Sequence, residues 1–124
     1  MGSKGERGGW KGWLKGFVYA FSGIKSAIRM ERNLKVHLAA AILVIALAFV
    51  FHVSYFEKLI LLILIGIVIS LELINTAIEH TVNLATDEHR PLAKLAKDTA
   101  AGAVLFFSIT AAVIGVMIFW HNIW

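Results

Sequence analysis

The chain has 124 residues, of which 59% are hydrophobic, and its mean hydropathy of +0.77 exceeds what a soluble domain of this length can bury. The absence of cysteine excludes disulfides, thiolate catalysis and cysteine metal sites, leaving carboxylates, imidazoles, amides and amines. At 13.7 kDa and with a net charge of +4, the chain is too small for a separate soluble catalytic domain, so any active site must be built from membrane helices and their short connections.

The first element is an amphipathic helix. Trp10, Trp13, Leu14, Phe17, Phe21, Ile24 and Ile28 recur every three or four residues, with Lys11, Lys15, Ser22, Lys25 and Arg29 between them. That spacing predicts a helix lying in the membrane interface. Its lysines suit either anionic lipid or a polyphosphate, so charge alone does not choose between membrane and nucleotide. The N-terminus lacks a cleavable signal pattern, and Met1-Gly2-Ser3-Lys4-Gly5-Glu6 lacks the hydroxyl residue of a myristoylation signal.

Three membrane spans follow, at about 34–51, 59–78 and 99–120, each near the ~20 residues that cross the hydrocarbon. The first two are joined by the short turn His52 to Lys58, the last two by a longer polar segment from Thr81 to Asp98. Most of the 12 Lys and Arg lie at or before the start of the first span, which puts the N-terminus and the second connection in the cytoplasm. In that connection Pro91 suits an early helix position, with Thr86 or Asp87 as the cap. Ala100-Ala101-Gly102-Ala103 then permits a close helix contact. Backbone access for a bulky ligand is the second reading of that stretch. The expected architecture is all-α and integral to the membrane: residues 1–33 form a tail and surface helix, and residues 34–124 form one three-span domain.

The second span is interrupted by charge. On a helix, Glu72, Asn75 and Glu79 fall within roughly a 60° sector of one face, and carboxylates at membrane depth usually mark function. Glu31 stands just before the first span, in Arg29-Met30-Glu31-Arg32-Asn33-Leu34-Lys35-Val36-His37. If these helix ends pack together, carboxylates gather at one cytoplasmic depth with Asn75, Lys97 and Asp98, and they require a cation to offset their repulsion. Mg²⁺ suits a few carboxylates completed by water and substrate phosphates. Phosphoryl transfer then needs metal and lysine to neutralise phosphate, and a base for the acceptor hydroxyl. Glu79 and Glu31 fit the metal, Lys97 the phosphates, and Glu72 the base, because Glu72 lies about two turns deeper, nearer a lipid hydroxyl.

Plainer readings stand beside these. Glu72 could be a structural hydrogen bonder or a stop on a proton path, Glu31 a surface ion pair with Arg29 or Arg32, and Lys97 with Asp98 a solvated helix end. The five histidines show no metal-ligand spacing and read as interfacial or structural. No phosphate-binding glycine loop of the soluble kinases is present.

The segments Glu72-Leu73-Ile74-Asn75-Thr76-Ala77-Ile78-Glu79, Pro91 through Val104, and Glu31-Arg32-Asn33 resemble, in order, motifs of the prokaryotic diacylglycerol kinase family. The resemblance runs from about Trp10 onward and is strongest to the Gram-positive undecaprenol kinase branch. It implies a homotrimer of three-span protomers in the bacterial plasma membrane, with active sites shared between subunits. It further implies ATP and a lipid alcohol, undecaprenol or else diacylglycerol, as substrates, with Mg²⁺ as cofactor and no nucleic-acid partner. By motif position, Glu31 and Glu79 would hold magnesium, Glu72 would be the base, and Asn75, Lys97 and Asp98 would complete the nucleotide and transfer site. Tyr19, Glu88, His89 and Arg90 align with positions that contact ATP, and Glu72 and Ala101 would meet the lipid. One departure is Asn83, where the family usually carries aspartate, one turn beyond Glu79 on the same face. Two readings of other classes remain: a small ion- or proton-coupled transporter, and a structural membrane scaffold.

Overall fold

The computed structural model describes residues 9–124. Four helices follow in order: α1 (Gly9–Met30), α2 (Arg32–Val50), α3 (Tyr55–Ala85) and α4 (Pro91–Ile123). No strand occurs among the described residues. Two compact units result, one ending at Arg32 and the other spanning Asn33–Trp124.

In the first unit, α1 displays the apolar face that its periodicity predicts. Trp10, Trp13, Phe17 and Phe21 are all exposed, with Trp13 and Phe17 meeting edge to face at 4.8 Å. An aromatic and aliphatic stripe left uncovered along a helix with lysines opposite suits the headgroup boundary of a bilayer.

The second unit holds three helices long and apolar enough to cross a membrane. Their large side chains face outward: Ile42, Phe49, Phe106, Val116 and Met117 are exposed, as lipid-facing residues must be when the solvent is hydrocarbon. The spans are longer than the apolar runs suggested. At 31 and 33 residues, α3 and α4 measure about 46 and 50 Å, well over the ~30 Å hydrocarbon core. Both overhang on the side of their mutual connection, so the long polar segment expected from Thr81 to Asp98 shrinks to Thr86–Arg90.

The helix ends explain these limits. Ser54 caps α3 with a reciprocal box: its Oγ accepts from the Glu57 N–H at 3.2 Å, while Glu57 Oε1 accepts from the Ser54 N–H at 3.1 Å, so two donors that would be orphaned are satisfied. The α2–α3 turn therefore shortens to 51–54, with His52 in the left-handed region (φ 53°) and the Val53 N–H returning to the Ala48 carbonyl at 3.2 Å, as at a Schellman end. Pro91 occupies the first turn of α4 as expected, but the capping position is Arg90, without a side-chain cap bond. Thr86 instead ends α3, and its Oγ1 accepts from the Glu88 N–H at 3.1 Å. The expected cap at Thr86 or Asp87 is thus corrected: α3 persists one turn further than its charge pattern suggested.

Helices α3 and α4 pack as an antiparallel hairpin. At the end nearest the α2–α3 turn, Ala48, Val53, Leu61 and Ile118 form a buried cluster with Val44, Ile114 and Phe119. Asn122 Nδ2 donates to Glu57 Oε2 there at 3.0 Å. An apolar groove of about 650 Å³ is lined by all three helices. The small residues at 101–103 of α4 stand open among the described residues. Ala101, Gly102 and Ala103 are exposed, and a Cβ at Gly102 would meet nothing within 4 Å.

Candidate active site

The interrupted face of α3 is the centre of the site. Glu72, Asn75 and Thr76 are its buried polar residues, Glu72 only 4% exposed. A carboxylate so placed must be paired, because an ionised group without a partner in apolar surroundings costs several kcal/mol. Its partner lies on α2: His37 Nε2 stands 3.2 Å from Glu72 Oε1. The Thr76 hydroxyl donates back to the Glu72 carbonyl at 3.0 Å, so no side-chain donor is left over on that turn.

One turn on, Asn75 Nδ2 donates to Glu79 Oε1 at 3.4 Å, which places the two residues on one face as the spacing predicted. Asn75 Oδ1 is buried with no hydrogen-bond partner among the described residues. Glu79 is half-buried and lies about 10 Å along the axis from Glu72, by the rise per residue. An orphaned amide oxygen beside a carboxylate is a pair of hard donors, fitting Mg²⁺ provided that waters and phosphates complete the shell. No group of three or more His, Asp or Glu that could hold a metal occurs among the described residues. The chain therefore offers part of a cation site rather than a cage.

A second concavity, of about 460 Å³, opens where α4 begins, lined by Glu88, His89, Arg90, Pro91, Ala93, Lys94 and Lys97. It unites four residues expected to meet nucleotide: Glu88, His89, Arg90 and Lys97. Its charges are partly balanced. Glu88 Oε2 accepts from Arg90 Nε and sits 3.1 Å from its Nη2, and Asp98 pairs with Lys94 across one turn. No ion-pair partner of Lys97 occurs among the described residues. Asp98 is thus drawn to Lys94 rather than to its neighbour Lys97, since residues four apart share a helix face and adjacent ones do not.

The remaining candidates stand on several elements. Tyr19 is exposed midway along α1, and Glu31 occupies the break between α1 and α2, its N–H donating to the Ala27 carbonyl at 2.8 Å. Ala101 is exposed on α4, and Asn83 is exposed on α3. His37 and Lys94 join the site through contacts that spacing along one helix does not show. Composition alone reads His37 as interfacial, but depth counted outward from the α2–α3 turn matches it to Glu72: His37 lies about 20 Å from Val50 and Glu72 about 25 Å from Tyr55 along their helices. Lys94 shares a helix face with Asp98 and lines the concavity beside Lys97.

The model of prokaryotic diacylglycerol kinase matches residues 18–119. The chain belongs to that family. It is 50% identical over 119 residues to the undecaprenol kinase of Bacillus subtilis, covering 96% of this chain and 97% of that protein. It is 38% identical over 103 residues to a diacylglycerol kinase of Synechocystis, covering 82% of this chain and 59% of the relative. To a diacylglycerol kinase of Helicobacter pylori it is 34% identical over 116 residues, 94% and 84% of the two chains. Membership in a family of kinases favours phosphoryl transfer over the transporter and scaffold readings. The protein is a multi-pass membrane kinase, as its three apolar helices and its relatives agree.

Proposed function

We propose that the protein transfers the γ-phosphate of MgATP to undecaprenol, yielding undecaprenyl phosphate and ADP. The observation that carries this reading is Glu72, a carboxylate buried among apolar helices near the end of a lipid-facing groove and about 10 Å along α3 from a more exposed carboxylate, Glu79. Undecaprenol is preferred to diacylglycerol on the 50% identity to the Bacillus enzyme.

In this reading Glu72 accepts the hydroxyl proton of the lipid as that oxygen bonds to the γ-phosphorus. The bond from phosphorus to the bridging oxygen breaks, and ADP leaves with the electron pair. Such transfers depend mainly on positioning and charge stabilisation. Lys97 and Arg90 supply positive charge to the phosphates, Asp98 orients Lys94 at the same mouth, and Tyr19, Glu88 and His89 contact the nucleotide. Glu79, Asn75 Oδ1 and, by the family resemblance, Glu31 would hold Mg²⁺. Magnesium, when bound, would neutralise phosphate charge. Asn75 also keeps the Glu79 carboxylate aimed. Ala101, without a bulky side chain, leaves backbone open to the lipid.

The proposal includes a homotrimer with shared sites and a cytoplasmic N-terminus. The exposed small residues Gly102 and Ala103 support a helix contact between copies, and the basic N-terminal segment supports the orientation. The test is incorporation of labelled phosphate from ATP by purified protein in detergent, with undecaprenol and diacylglycerol at equal mole fraction. Undecaprenol should be labelled faster. Preference for diacylglycerol moves the assignment to that substrate, and labelling of neither alcohol refutes the kinase reading.

A further inference from the structure

The groove between α2 and the α3–α4 hairpin is apolar along most of its length, running from Trp120 and Ile123 to Ile69 and His37. His37 therefore stands where apolar surface gives way to the carboxylate. Its side chain is 27% exposed while that of Glu72 is 5% exposed, and the two meet at 3.2 Å across different helices. A glutamate has three rotatable bonds, so without a donor it would wander among rotamers. It would also leave its charge unmatched in a site that water scarcely reaches. The imidazole bears on this directly: Nε2 approaches Oε1 to 3.2 Å, so that with its proton on Nε2 the ring places a donor beside that oxygen and restricts the carboxylate, leaving Oε2 available to a reacting hydroxyl.

We infer that His37 is a positioning residue for phosphoryl transfer, acting through Glu72 by holding Oε1 so that Oε2 takes the proton of the alcohol. This rests on the reading of Glu72 as the base. The polar anchor also ties α2 to α3 at the end of the groove opposite the buried apolar cluster, so loss of the bond frees both the carboxylate and the helix that bears its partner. A base displaced by an ångström can lose about 100-fold in rate, and loss of orienting partners elsewhere costs roughly 10- to 100-fold.

The test compares His37→Leu, which keeps bulk and removes the donor, with His37→Gln, whose amide N–H reaches a similar point. In the lipid kinase assay His37→Leu should lower kcat by about 10- to 100-fold with the KM for ATP unchanged. His37→Gln should recover most of that loss. A merely structural histidine would instead make leucine the better tolerated replacement in an apolar groove, so equal impairment of both variants, or parental kcat in His37→Leu, overturns the inference. A second measurement is independent of turnover: the ¹⁵N resonance of His37 Nε2 in micelles should shift on Glu72→Gln, and an unmoved resonance overturns it. If the parent is active and Glu72→Gln inactive while His37→Leu matches the parent, this inference alone falls. If the parent phosphorylates no alcohol, it falls together with the functional reading.

Discussion

Replacing Glu72 with glutamine isolates the chemistry of the carboxylate from its packing. Glutamine has the same shape, fits the same buried position, and keeps an Oε1 facing His37 Nε2, which stands 3.2 Å from the carboxylate oxygen of the parent. What is lost locally is the charge assistance of one hydrogen bond, about 1 kcal/mol. What is lost in the reaction is the proton acceptor, typically worth 10²- to 10⁴-fold, or about 3–5.5 kcal/mol of barrier. The expected signature is therefore a large fall in kcat, a KM for ATP within a few-fold of the parent, and a small change in unfolding temperature. Glu72→Asp refines the argument. Aspartate keeps the acceptor but withdraws it by about 1.5 Å, taking the His37 contact beyond hydrogen-bonding distance. Its kcat should fall between the parent and Glu72→Gln. The assay is labelled-phosphate transfer to undecaprenol in detergent, with thermal unfolding measured on the same preparations. A Glu72→Gln protein within tenfold of parental kcat, or one whose activity falls only as far as its stability does, would refute the assignment.

Glu79→Gln should raise the magnesium concentration for half-maximal rate by roughly 10-fold or more, since it leaves the Asn75 contact possible while removing a hard anionic ligand; an unchanged magnesium dependence would remove Glu79 from the cation site. Asn83→Asp should raise turnover at saturating magnesium, because position 83 is exposed one turn beyond Glu79, within about 6 Å of it on the helix surface, where a carboxylate adds attraction for the cation. Equal or lower turnover counts against that role. Ser54→Ala removes half of the capping box and should cost about 1 kcal/mol of stability, read as a lowered unfolding temperature in detergent. Its kcat should be unchanged below that temperature, because Ser54 lies at the far end of α3, about 27 Å from Glu72; a loss of kcat without loss of stability would show that the two ends are coupled.

The local rules were legible in the residues themselves. Apolar runs of membrane length can satisfy their backbone only as helices, and the three-to-four spacing of Trp10, Trp13, Phe17 and Phe21 has one helical solution. Glu72, Asn75 and Glu79 share a face because a helix turns about 100° per residue, and the Asn75–Glu79 bond follows from that spacing alone. The ends were less legible. Residues 81–85 look like connection by polarity, yet α3 carries on through them, since a helix already nucleated extends at little cost through polar residues facing water.

Contacts between helices were decided by tertiary structure. Composition marks His37 as an interfacial histidine, and it becomes the partner of Glu72 only because the α2–α3 turn sets the antiparallel register that brings the two to one depth. Asp98 could pair with either neighbouring lysine until the helix through Pro91 put Lys94 on its face. A sequence read along its length fixes periodicity, charge and the chemistry available to each helix; the register between helices depends on turn length, caps and the packing of small residues, which local spacing does not encode.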